Sequence, residues 1–135
     1  MKRSGLAITL LVVGATSGCS TTESAVAILT QQAQCQATEW RLRRMGTVRD
    51  EHGIIIESNA RPDLWDRANV LAAQLDAWRA QRPYVPPDVA REFEASGEWD
   101  RVWQIAADQN EAELLRMADQ CAVFLTVPGD RQPRP

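Results

Sequence analysis

Three cysteines and a single histidine, His52, constrain this 135-residue chain more than any other feature, because each cysteine stands in a different setting. Cys19 closes an uncharged apolar run, while Cys35 and Cys121 fall on helical stripes near opposite ends of the remaining chain. One imidazole and three scattered thiols are too few for an ordinary zinc site, so neither a metal nor a cofactor is expected. The remaining composition, 44% hydrophobic and 24% charged, is that of one small globular domain and excludes a disordered or collagen-like polymer.

Fourteen of the fifteen positive residues are arginine, and the one lysine, Lys2, stands beside Arg3 at the N-terminus. A short basic stretch, the eleven-residue apolar run GLAITLLVVGA from Gly5 to Ala15, and the small residues Thr16, Ser17 and Gly18 have the anatomy of an export signal. At about 1.5 Å per helical residue that run reaches roughly half of the ~30 Å hydrocarbon core, too short for a permanent span. Ser17, Gly18 and Cys19 resemble the processing site of bacterial lipoproteins. The resemblance implies cleavage before Cys19 and attachment of acyl chains, palmitate among them, to that cysteine. Thr16 stands where the family usually carries an aliphatic residue, which leaves ordinary secretory cleavage near Ala15 or Ser17 as the alternative. Ser20, in place of an aspartate, implies the outer membrane. The resemblance covers about twenty residues and gives an address only.

Cleavage there divides the chain into a signal peptide over 1–18, a lipid-anchored domain over 19–127 and a tail over 128–135. The 117 residues remaining carry thirteen Arg against eighteen acids, a net charge of 13 − 18 = −5. Such a domain is a poor nucleic-acid binder, because neutralising phosphates needs a concentrated positive surface. Cys35 and Cys121 would then sit in an oxidising compartment, and without Cys-x-x-Cys spacing a structural disulfide is favoured over a redox pair or two buried free thiols.

Four segments carry helical periodicity. Ser20 and Glu23 fit a capping box ahead of Val26, Leu29, Ala33, Ala37 and Trp40 on one face, while Ile28, Cys35 and Leu42 recur on roughly the opposite side. This first helix is therefore expected to be contacted from two directions, with Arg41, Arg43 and Arg44 in its last turn and Gly46 as a left-handed stop. The run Thr47 to Ser58 predicts a short hairpin whose Ile54, Ile55 and Ile56 lie on the helices. Pro62 and Asp63 open a helix with Leu64, Ala68, Leu71, Leu75 and Trp78 inward. After the stiff connector Arg82 to Pro87, a short helix carries Val89 and Phe93 and stops near Ser96 and Gly97. A final helix from about Ser96 has Trp99, Trp103, Ala106, Asn110, Leu114, Met117, Cys121 and Leu125 on one stripe. Asn110 is either a polar seam residue or the N-cap of a separate helix, with Glu113 as partner. Pro128 ends it, and the tail reads as disordered. These elements predict an all-α fold, a small antiparallel bundle of three long helices and a short one, with a hairpin around residues 47–57.

Candidate chemistry is sparse. His52 beside Asp50 and Glu51 lacks the further partners a general base or metal ligand needs. The carboxylates Glu92, Glu94, Glu98 and Asp100 suggest a cell-wall hydrolase, but a glycosidase needs two acids across one cleft with separated pKa values. Four of the five tryptophans fall on inner stripes; Trp65, with Tyr84 in the connector, is a candidate partner- or sugar-binding patch. Arg41, Arg43 and Arg44, joined by Arg49, are candidates to hold a phosphate or carboxylate.

The expected function is therefore a non-enzymatic structural or protein-interaction component of the cell envelope, held in the membrane by its N-terminal lipid and facing the periplasm. Its partner would be another envelope protein, with no nucleic acid and no metal. A soluble periplasmic or secreted protein is the alternative address. The alternative functions are a lysis accessory resembling the lipoprotein subunit of phage spanin pairs, and, less favoured, the hydrolase.

Overall fold

The structure, a computed structural model, describes residues 4–126, with side chains from 22 to 126. The tail expected over 128–135 and the side chain of Cys19 lie outside the described residues. Five helices and one two-stranded ribbon make up the described molecule: α1 (Ser4–Met45), β1 (Val48–Arg49), β2 (Ile55–Glu57), α2 (Pro62–Arg79), α3 (Pro87–Ala95), α4 (Glu98–Ala107) and α5 (Glu111–Leu125). The expected all-α bundle with a short hairpin is what the chain forms. No helix among the described residues is long and apolar enough to cross a membrane.

The first helix is the hub, and its two stripes explain why. Ala33 and Cys35 are two residues apart, about 200° around a helix that turns roughly 100° per residue, so they face opposite ways. Cys35 and Leu42 are fully buried against Leu64, Ala68, Leu71, Leu75 and Trp78 of α2 and Leu114, Ala118, Cys121 and Leu125 of α5. Ala33 and Ala37 are equally buried on the other side, against Phe93 of α3 and Val102 and Ala106 of α4. One helix thus serves two separate cores. Small side chains at 33 and 37 let α4 approach closely, and the wide rings of Trp40, Trp99 and Trp103 close the margin, with Trp40 and Trp103 centroids 4.8 Å apart.

Polar contacts fix the direction of travel. Arg43 Nη1 donates to Asn69 Oδ1 at 3.0 Å, while Arg82 Nη1 donates to Gln32 Oε1 at 2.5 Å. Residue numbers on α2 rise as those on α1 fall, so α2 runs back along α1. The disulfide between Cys35 and Cys121, with Cα atoms 5.7 Å apart, ties α1 to α5 as expected. Arg61, at the head of α2, donates to Asp63 and to both carboxylate oxygens of Glu111, at 3.1 and 2.9 Å to the latter. That clamp joins the starts of α2 and α5, and the guanidinium holds both carboxyls below the usual carboxylate range.

One expectation about where helices begin is corrected, and one open alternative is decided. No helix starts at Ser20: α1 runs unbroken from Ser4, so the amides after Ser20 already bond to carbonyls four residues back and leave nothing for a capping box to satisfy. The last helical stretch, which the sequence leaves open to a break at Asn110, is two helices. Asn110 has extended backbone, and its side chain accepts the Glu113 N–H at 2.8 Å, which makes it the N-cap of α5 rather than a seam residue. Glu113 does not complete the box; its carboxylate pairs with Arg116. Asn110→Ala is expected to cost about 1 kcal/mol, read as a lowered urea midpoint with an unchanged slope.

Candidate functional site

The end of the molecule where α1 stops is where sequence and structure diverge most. Gly46 ends the helix, but not through the left-handed backbone expected of it: the described glycines with positive φ are Gly53 and Gly97. Its role is proximity. A Cβ at Gly46 would lie 2.9 Å from Cδ1 of Trp65 and 3.4 Å from the Arg61 carbonyl. The Gly46 carbonyl also accepts the N–H groups of Ala60 at 2.9 Å and Arg61 at 3.2 Å, which closes the base of the ribbon. Gly46→Ala is expected to displace the Trp65 ring and cost about 1 to 3 kcal/mol, visible as a shifted Trp emission and a lower unfolding midpoint.

From that base the hairpin projects away from the helices. Val48 pairs with Glu57 and Arg49 with Ile55. The Asp50 carboxylate accepts from the N–H groups of His52 at 2.9 Å and Ile54 at 2.8 Å, and Gly53 turns the chain at φ 82°. The isoleucines do not lie on the helices: Ile54, Ile55 and Ile56 are 63%, 51% and 66% exposed. The physical reason is that both cores close without them, so the ribbon meets the helices only at its base and along the side of Ile55 that faces Trp40 and Trp65. A run of three large aliphatics exposed on an unpaired strand edge is unusual for a chain that acts alone.

Beside the hairpin is a cleft of about 180 Å³, walled by Trp40, Trp65 and Ile55 and bordered by Arg43, Arg44 and Arg49. Arg43 is structural. Its Nε donates to Glu39 at 2.9 Å and its guanidinium stacks 4.8 Å from the Trp65 ring. Arg44 lies over Trp40 at 5.8 Å, and Arg49 Nη1 donates to the Gly53 carbonyl at 2.9 Å. Thr47 accounts for the helix-end carbonyls: its N–H donates to the Arg44 carbonyl and its Oγ1 to that of Arg43, while the Gly46 N–H takes that of Leu42.

Of the site residues expected from sequence, Arg43, Arg44, Arg49 and Trp65 are brought together, and Trp40 and Ile55 join them. Arg41 does not line the cleft; its Nε is buried without a hydrogen-bond partner among the described residues. Tyr84 is 79% exposed but does not meet Trp65. Arg82, two residues before it, bonds Gln32, whereas Trp65 sits at Arg43 and Gly46, eleven or more residues further along α1 and roughly 16 Å away at ~1.5 Å per residue. Trp65 therefore shares its cleft with Trp40 and not with Tyr84.

His52 is an exposed turn residue whose Nε2 is 3.9 Å from Glu51. Glu92 and Glu98 border one apolar groove with Phe93 and Val89, while Glu94 borders another. Arg101 donates to Glu98 at 2.9 Å and holds its carboxyl below the ordinary range, the opposite of what a general acid needs. Among the described residues no group of three His, Cys, Asp or Glu side chains is placed to hold a metal ion. No protein-family model, curated protein or solved structure matches the chain.

Proposed function

We propose that the chain is an envelope lipoprotein, anchored through Cys19 and facing the periplasm from the outer membrane, that recruits another envelope protein without acting as an enzyme. The observation that carries this reading is the exposure of Ile54, Ile55 and Ile56 at the far end of α1 from Cys19. Cys19 to Met45 is 27 residues of continuous helix, about 40 Å at ~1.5 Å per residue. An anchor at one end therefore holds the apolar tip and the adjoining cleft well clear of the lipid surface. Cleavage before Cys19 would also free the amides following Ser20, at which point Ser20 and Glu23 become a working cap.

Metabolic palmitate labelling with fractionation tests the anchor. Label and membrane association are expected for the natural chain and neither for Cys19→Ser; an unlabelled, unattached natural chain would contradict the reading. The tip is tested by replacing all three isoleucines with serine. Capture of an envelope partner should be lost while the chain stays folded, with a stability loss of no more than about 1.5 kcal/mol in all, because exposed positions contribute about 0.5 kcal/mol or less each.

A further inference from the structure

We infer that the cleft between α1 and the hairpin binds an acidic segment of a partner protein, with a carboxylate on Arg44 and Arg49 and a neighbouring apolar side chain against Trp40, Trp65 and Ile55. This rests on reading the hairpin end as the recruiting surface and names the chemistry that it recruits.

Uncommitted charge is the first ground. Arg43, Arg61, Arg67, Arg79, Arg101 and Arg116 each pair with a carboxylate. Arg44 and Arg49 border the cleft and have no carboxylate partner among the described residues. Helix-end duty does not occupy them, because the carbonyls of Leu42, Arg43 and Arg44 are already bonded to Gly46 and Thr47. The nearby Asp50 carboxylate is taken up by two backbone N–H groups of the turn. On a chain of net charge −3, two such arginines at one cleft select for a negative partner at that place.

Shape is the second ground. The cleft's 180 Å³ is below the roughly 300 Å³ at which small-molecule pockets begin, and suits one or two side chains of a docked segment. Arginine forks bind carboxylates in two parallel hydrogen bonds, and the indole walls remove water from one side of that contact. The exposed β2 edge next to Ile55 offers backbone groups along which an extended segment can lie.

The test uses the purified full chain in detergent and fluorescence anisotropy of a labelled peptide alternating glutamate and leucine, with its glutamine and leucine counterpart as the control. The acidic peptide is expected to bind, and to weaken by about tenfold or more in the double variant Arg44→Gln, Arg49→Gln, and as salt is raised. Equal binding of the glutamine peptide to the natural chain would overturn the inference without reference to any variant. So would unchanged binding by the double variant, or failure of the acidic peptide while phosphatidylglycerol vesicles or inorganic phosphate bind the same arginines. This assay reads the cleft in solution and palmitate labelling reads the anchor, so either can fail alone.

Discussion

Replacing both Cys35 and Cys121 by alanine lowers the stability of the folded chain by about 3 to 5 kcal/mol, the largest loss expected from any change outside the backbone. The two residues are separated by 86 positions, and closing a loop of that length in the unfolded chain removes entropy worth about 4 to 5 kcal/mol. Both half-cystines are buried, at 0% and 6% exposure, so the substitution also removes contacts between α1 and α5. A domain of this size has roughly 5 to 15 kcal/mol in all, and the melting temperature should fall by more than about 12 °C. Reduction of the natural chain should produce a loss of similar size. Urea unfolding of oxidised, reduced and substituted chains checks this, and a difference below about 1 kcal/mol would contradict it.

Leu42→Ala comes next, at about 3 to 4 kcal/mol. Leu42 is completely buried on the stripe of α1 that faces α2 and α5, and it is among the largest of the fully buried side chains. Two closed helices on that side leave little freedom to collapse into the space, which keeps the cost above the low end of the range for such truncations. The variant's effect on the other core should be slight. Trp40, Trp99 and Trp103 lie on the α4 side, so the near-ultraviolet circular dichroism of the folded state should be retained while the urea midpoint falls. A cost below about 1 kcal/mol would show that α1 is not shared between two tightly packed cores.

Features set by local spacing were legible from the residues alone. Leu64, Ala68, Leu71, Leu75 and Trp78 are all buried, as their 4, 3, 4, 3 spacing requires, and the opposed stripes on α1 mark contact from two sides. Asn110 was legible as one of two alternatives, because an N-cap and a polar seam residue share the same spacing and only backbone geometry separates them. The surroundings of Gly46, Trp65 and the isoleucines were not legible. Each depends on what lies beside it across a turn: the indole against Gly46, the carbonyl that closes the ribbon base, and cores that have no room for Ile54, Ile55 and Ile56. A run of three isoleucines predicts burial wherever a core has room for it, and here both cores are filled by other residues. Placing Trp40 and Trp65 on one cleft was equally beyond periodicity, since they lie on different helices and each is covered by a different arginine of the α1 terminus.

Recruitment of a partner by the hairpin end of an anchored helix is tested most directly by a photo-crosslinking amino acid placed at Ile55 in the intact envelope, with Val123 as the control. Val123 is 71% exposed and lies on α5, near the Trp78 end of the bundle. A discrete adduct of higher mass from Ile55 and none from Val123 is the expected result; no adduct from Ile55, or the same adducts from both positions, would contradict it.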